Sequence, residues 1–191
     1  MQTFSTAQLL DSLEQETRLF LKEATSYQQA MPGGRFSLQP PNGGWSAKQC
    51  LAHLNSYGRY YLPAIEKAIA RAIRKKSSPH PIYRPGWLGN YFTRTMQPGT
   101  DGKPIKKMKA FRKYIHGNDE DDYKTVAAFI AQQEKMLALI TAAATINLAG
   151  TRTGISIAPF ITLQLGDTLR FITAHNKRHL LQAARAAGGQ P

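Results

Sequence analysis

Acidic residues are scarce in this chain: 12 Asp and Glu stand against 25 Lys and Arg, a formal charge of +13 over 191 residues. A field of that sign attracts anions of every kind, from carboxylates and phosphates to nucleic acid, so it selects no partner. Cysteine is almost absent. The lone Cys50 excludes an internal disulfide, and free cysteine is among the most buried residue types, so a small apolar packing role is expected for it rather than a nucleophilic one. Long hydrophobic runs are missing too. The least polar stretch, residues 137–150, is too short to span a bilayer and directly follows Glu134 and Lys135. The N-terminus, MQTFSTAQLLDSLEQE, lacks a basic segment ahead of its apolar residues and carries acids early, unlike a secretory signal. These absences lead us to expect a cytoplasmic protein that is not in the membrane. There is also no internal repeat, P-loop, dinucleotide fingerprint, HExxH or serine-triad motif.

What is present has globular proportions, with 42% hydrophobic and 19% charged residues, and the length suits one domain spanning residues 1–191. Four amphipathic helices are expected. The first runs from about Ser5 to Ala30, with capping-box spacing at Ser5 and Gln8 and an apolar stripe of Leu9, Leu10, Leu13, Phe20 and Leu21; MPGG at 31–34 ends it. The second begins at WSAKQ, where Ser46 and Gln49 again have capping-box spacing and Trp45 stands where a hydrophobic staple would. Its inward face carries Leu51, Leu54, Tyr61, Ile65 and Ile69, Pro63 should kink it, and it fades out in Arg71, Arg74, Lys75 and Lys76. Acids at Asp119–Asp122 suit the start of a third helix reaching about Ile146, with Val126, Phe129, Ile130, Leu137 and Ile140 inward. TRTGISIAP at 151–159 reads as an extended connector before a fourth helix from about Leu163 to Ala187. The expected fold class is therefore all-α, a four-helix bundle.

Between the second and third helices lies a long link, residues 77–118, rich in Pro, Gly, Lys and aromatics, with regular structure expected only as a short helix near Trp87–Thr95. Fully extended it can reach over ~100 Å, at about 3.3 Å per residue, against a helix of roughly 45 Å. It can therefore act as a crossover joining parallel helices.

The fourth helix is the most informative. Its core stripe of Leu165, Leu169 and Ile172 continues, at spacings of three and four, into His175 and His179 before Ala183. Two imidazoles one turn apart on an inward face can turn toward one ion. Two ligands make a weak site, and His53, near the inward face of the second helix beside Cys50 and Tyr57, supplies a third. Three neutral imidazoles suit a borderline divalent ion such as Zn²⁺ or Ni²⁺ and leave positions open for water or substrate. A core histidine taken singly is more often a hydrogen-bonded packing residue. Glu134 reads as a solvated acid unless its helical phase lets it orient a ligand histidine. His80 and His116, in or beside the link, read as exposed.

WSAKQCLAHL together with TAHNKRHLLQ resembles the DinB/YfiT-like superfamily of metal-binding four-helix bundles, in its DinB-like two subgroup. The shared residues are Trp45, Ser46, His53, Leu54, His175, Arg178, His179 and Gln182, and the likeness covers most of the chain, the basic link included. It implies an up-down-down-up bundle, often dimeric, with His53, His175 and His179 as metal ligands. It implies thiol S-transfer or metal-dependent hydrolysis among diverse activities, some members having no known reaction. The DNA-damage association of the name concerns regulation and implies no DNA chemistry.

The leading expectation is a metal-dependent enzyme acting on a small molecule, anionic or a low-molecular-weight thiol, because an ion held by three histidines lowers the pKa of water or thiol toward neutrality. No general acid or base is evident beyond Tyr57 and Tyr61, for which a core role is the plainer reading. The alternative is a non-catalytic binding protein. Lys103, Lys106, Lys107, Lys109, Arg112 and Lys113, interleaved with Met108, Phe111 and Tyr114, could grip nucleic acid or another polyanion, or form a solvated link pinned by its aromatics.

Overall fold

The computed structural model describes residues 3–30, 34–41, 43–99, 103, 114 and 121–188, apart from the side chains of residues 28–30 and 159. The chain is mostly helical. Its elements are β1 (Phe4–Ser5), α1 (Thr6–Ala30), α2 (Ala47–Arg74), β2 (Ile82–Tyr83), α3 (Trp87–Met96), α4 (Asp122–Ala143), β3 (Arg152–Ile155), β4 (Ala158–Gln164) and α5 (Leu165–Ala186).

Helix starts follow the capping chemistry in the sequence, with differing completeness. At α2 the capping box is complete: Ser46 Oγ accepts from the Gln49 N–H and the Gln49 side chain accepts from the Ser46 N–H. At α1 only a long contact of 3.5 Å joins the Gln8 N–H to Ser5 Oγ, because Ser5 is drawn into β1, which pairs antiparallel with β2. Asp121 caps α4, accepting from the Lys124 N–H at 2.8 Å. The next residue, Asp122, meets the buried Lys48 ammonium at 2.8 Å and ties α4 to the start of α2. Helix α2 continues through Pro63 to Arg74.

The long helices touch in a closed ring, α1 and α2 each packing on both α4 and α5. Their apolar faces form two clusters. One joins Leu9 and Leu13 of α1 to Ile65 and Ile69 of α2, Leu139 and Ile140 of α4, and Leu165 and Leu169 of α5. The other joins Phe20 and Ala24 to Leu51 and Leu54, Val126 and Phe129, and Leu180 and Ala183. Along both α2 and α5 a polar layer is left between these two apolar ends.

One part of the chain is more regular than expected. The connector at 151–159 forms an antiparallel hairpin, with Thr153 opposite Leu163 and a register shift at Gly154/Ile155, so α5 begins at Leu165. Alternation explains it, since Thr153 and Ile155 are buried while Arg152 is exposed, a period of two. In the link, α3 forms where it was expected and packs on α5. The anchor is Asp167, 1% exposed, whose carboxylate accepts from the Gly86 N–H at 2.9 Å.

Candidate metal centre

The polar layer between the two apolar clusters is where the histidines meet. His53 from α2 and His175 and His179 from α5 offer nitrogen atoms that all lie within 4.8 Å of one another. His53 Nε2 stands 3.2 Å from His175 Nε2. Two nitrogens bound tetrahedrally to one zinc-sized ion at 2.0–2.1 Å would stand about 3.3 Å apart, so this pair already has ligand spacing.

Hydrogen bonds set which nitrogen of each ring faces inward. His53 Nδ1 lies 2.7 Å from the carbonyl oxygen of Tyr114, which can only accept; the proton is therefore on Nδ1 and the Nε2 lone pair points to the cluster. His179 Nδ1 likewise donates to Gln182 Oε1 at 3.0 Å, one turn along α5. Such partners are what hold a ligand imidazole in its binding tautomer. His175 is the exception, its buried Nδ1 having no partner among the described residues.

Burial keeps the two α5 rings neutral. His175 and His179 are driven well below the ordinary histidine range, first by desolvation, then at His175 by His179, His53 and Arg178 and at His179 by His53 and Arg178; the Gln182 bond opposes the shift at His179. Neutral imidazole is the form that binds metal, so the donor set fits a divalent ion of the zinc or nickel kind. The three histidines could therefore hold one.

Aromatic rings enclose the cluster. Trp45 packs on His53 and His179, with ring centroids 5.0 and 5.8 Å away; the tryptophan expected as a helix staple is a wall of the site. Tyr57 lies against His53 and His175 at 5.0 and 4.4 Å, and Phe171 stacks almost parallel on His175 at 5.8 Å. Tyr61 is buried, and its hydroxyl accepts from the Ser156 N–H at 3.1 Å.

Other candidates fall away from the centre. Glu134 is exposed, and the inward position beside it belongs to Gln133, which accepts from Asn176 at 3.1 Å. His80 is exposed, with its ring on the backbone of Ile82. Cys50 is fully buried, and desolvation pushes its thiol up to about 12. His116, Lys106, Lys107, Lys109, Arg112 and Lys113 lie outside the described residues. The residue that the sequence hid was Tyr114: its contribution is a backbone carbonyl, 61 positions from the histidine it orients, and no side-chain pattern announces that.

A mostly helical chain with a buried cluster of three histidines defines a candidate metal-centre protein. The family is shown by comparison: the pattern of the DinB superfamily matches residues 13–183, and the chain belongs to that superfamily. Neither the curated proteins nor the solved structures contain a match to it. Among the described residues no helix is long and apolar enough to cross a membrane.

Proposed function

We propose that this protein is a metal-dependent enzyme acting on a small molecule, with His53, His175 and His179 as the ligands of one divalent ion. The observation that carries the reading is the buried convergence of three imidazoles, two with their outer nitrogens already donating to oxygen acceptors. The same reading takes the long helices as an up-down-down-up bundle. In its support, one apolar cluster gathers the starts of α1 and α5 with the ends of α2 and α4, and the other gathers the opposite ends.

A divalent ion at such a site supplies Lewis acidity, bringing the pKa of water or a thiol toward neutrality. The chain's own residues do the rest. His53 and His179 are held in orientation by Tyr114 and Gln182, while Trp45, Tyr57 and Phe171 restrict water. Burial raises the Tyr57 hydroxyl, with Tyr61 and Tyr114 adding to the shift, so near neutral pH Tyr57 offers an O–H donor to substrate and not a base. Thiol S-transfer and hydrolysis both fit these parts, with a small molecule or low-molecular-weight thiol as partner.

The test begins with metal analysis of the purified protein and of His175→Ala. Wild type should carry zinc or nickel and the variant should lose it; equal content in both would sink the proposal. An assay pairing several low-molecular-weight thiols with an electrophile, run beside ester and amide hydrolysis, then separates transferase from hydrolase.

A further inference from the structure

A cleft of about 510 Å³ opens at the end of α2 remote from His53, where that helix meets the turn after α4 and the start of β3. Ala68 and Ala72, small and buried, leave the space for it, and Arg71 and Lys75 line it from the same face of α2, one turn apart. Arg152 lines it from β3. None of these three cations makes an ion pair among the described residues, where the pairs lie elsewhere. The two stretches that build the cleft, 67–100 and 135–166, contain no Asp or Glu at all.

Other polar groups of the lining are donors as well. Asn147 Oδ1 already accepts from the N–H groups of Ala149 and Gly150, at 3.0 and 2.9 Å, so its NH₂ is what remains to meet a ligand. Ser77 Oγ accepts from the Asn147 N–H at 3.1 Å and keeps its own O–H to give. That bond ties the turn after α4 to the end of α2, and Arg71 reaches across with Nη2 3.5 Å from the Arg152 carbonyl oxygen. Like charges one turn apart cost a helix stability. The C-terminus of α2 offsets that cost for Arg71 and Lys75, but it does nothing for Arg152, which begins a strand.

We propose that this cleft binds a small molecule through a phosphate or diphosphate group, held by Arg71, Lys75 and Arg152. A guanidinium fork pairs with two phosphate oxygens at once and an ammonium adds a point charge, so three cations match a group with two or more negative charges. The volume is that of a small-molecule site, with room for the body that carries the phosphate. Along α2, Arg71 lies ~27 Å from His53 at 1.5 Å per residue, so the cleft is separate from the histidine centre and does not rest on it. Its ligand is a second molecule, distinct from the one the histidines act on.

Inorganic pyrophosphate is the probe, titrated by calorimetry at physiological salt, where screening over about 8 Å suppresses the general field of the chain. Arg71 and Arg152 are exposed, so their substitution leaves the core intact. Arg71→Gln and Arg152→Gln should each weaken pyrophosphate roughly tenfold or more, through loss of charge-assisted hydrogen bonds. Arg74→Gln removes the same charge from the same helix outside the cleft and should change affinity less than about twofold. Affinity should also be the same in zinc-loaded and chelator-treated protein. Equal losses in all three variants would reduce the effect to net charge, and a dependence on zinc would put the anion at the histidines; either overturns the proposal, as does pyrophosphate that gives no heat at millimolar concentration. A single-stranded oligonucleotide and phosphatidylglycerol vesicles complete the set. Binding of either that Arg152→Gln abolishes, with none of pyrophosphate, assigns the cleft to a polyanion and overturns the small molecule.

Discussion

Each histidine must be neutral before its lone pair can face an ion, and the cost of keeping it so can be measured in the metal-free protein. His175 and His179 titrate well below the ordinary histidine value when folded, mainly through burial, whereas the unfolded chain takes up protons near pH 6.5. A depressed folded pKa means stability present above the unfolded value and lost as pH falls from there toward the folded one. Chelator-treated protein should therefore lose stability from about pH 6.5 downward, by up to ~1.4 kcal/mol per pH unit for each histidine. Denaturation midpoints at pH 7.5, 6.5 and 5.5 check this, and His179→Gln should flatten the slope; an equal slope in the variant would contradict it. Cys50 makes the opposite case at the same scale. With its thiol buried and raised to about 12, it should resist iodoacetamide at pH 8 in the folded protein and react once the chain is unfolded, as mass spectrometry can show. Of the site's residues, His175 and His179 were legible because they interrupt an aliphatic stripe. Trp45 was legible as a possible staple of α2 but not as a wall of the site, since its contacts with His53 and His179 depend on how α2 and α5 pack.

At the scale of elements, α3 shows how a short helix from a long link is fixed in place. A Cβ on Gly89 would stand 2.3 Å from Cβ and Cγ of the buried Asp167. Glycine-to-alanine changes inside a helix ordinarily stabilise by about 1 kcal/mol, so the sign at this position is diagnostic. Gly89→Ala should destabilise by roughly 1–3 kcal/mol, read from urea midpoints, because α3 must move away from α5. Gly58 provides the contrast: its added Cβ would meet only the end of the Gln132 side chain, which can swing aside at the loss of its hydrogen bond to the Asn55 carbonyl. Gly58→Ala should then change stability by less than about 1 kcal/mol. The existence of α3 was readable from sequence. The hairpin was not, because its first strand alternates in burial and not in polarity: Thr153 is buried like Ile155, and which face is covered is settled by what Thr153, Ile155 and Leu163 bury against.

For the whole molecule, an ion bound between α2 and α5 stabilises the folded state by mass action. At a free zinc concentration a hundred times the dissociation constant the gain is ~2.7 kcal/mol, which for a chain of this size means a rise in Tm of roughly 5–10 °C, reversed by chelator. A Tm that ignores both zinc and chelator would count against the metal centre. The +13 charge has its own consequence at this scale. Binding to a generic oligonucleotide should be confined to low salt and fall steeply as salt is raised, as counterion release requires. Retention at physiological salt would instead favour the reading of a protein that binds nucleic acid through its basic link.

By itself the sequence determined the helices, the cap at Ser46 and the acidic start of α4, the apolar faces and the histidines that break them, because these follow from local periodicity and from side chains competing for nearby backbone groups. Only the tertiary structure decided that His53 comes within 3.2 Å of His175, that the Tyr114 carbonyl sets its tautomer, and that Tyr57 and Phe171 divide the centre from an apolar cavity. These depend on the relative depth and rotation of helices more than a hundred residues apart. That relation is set by packing two apolar clusters at once, and no local pattern encodes it.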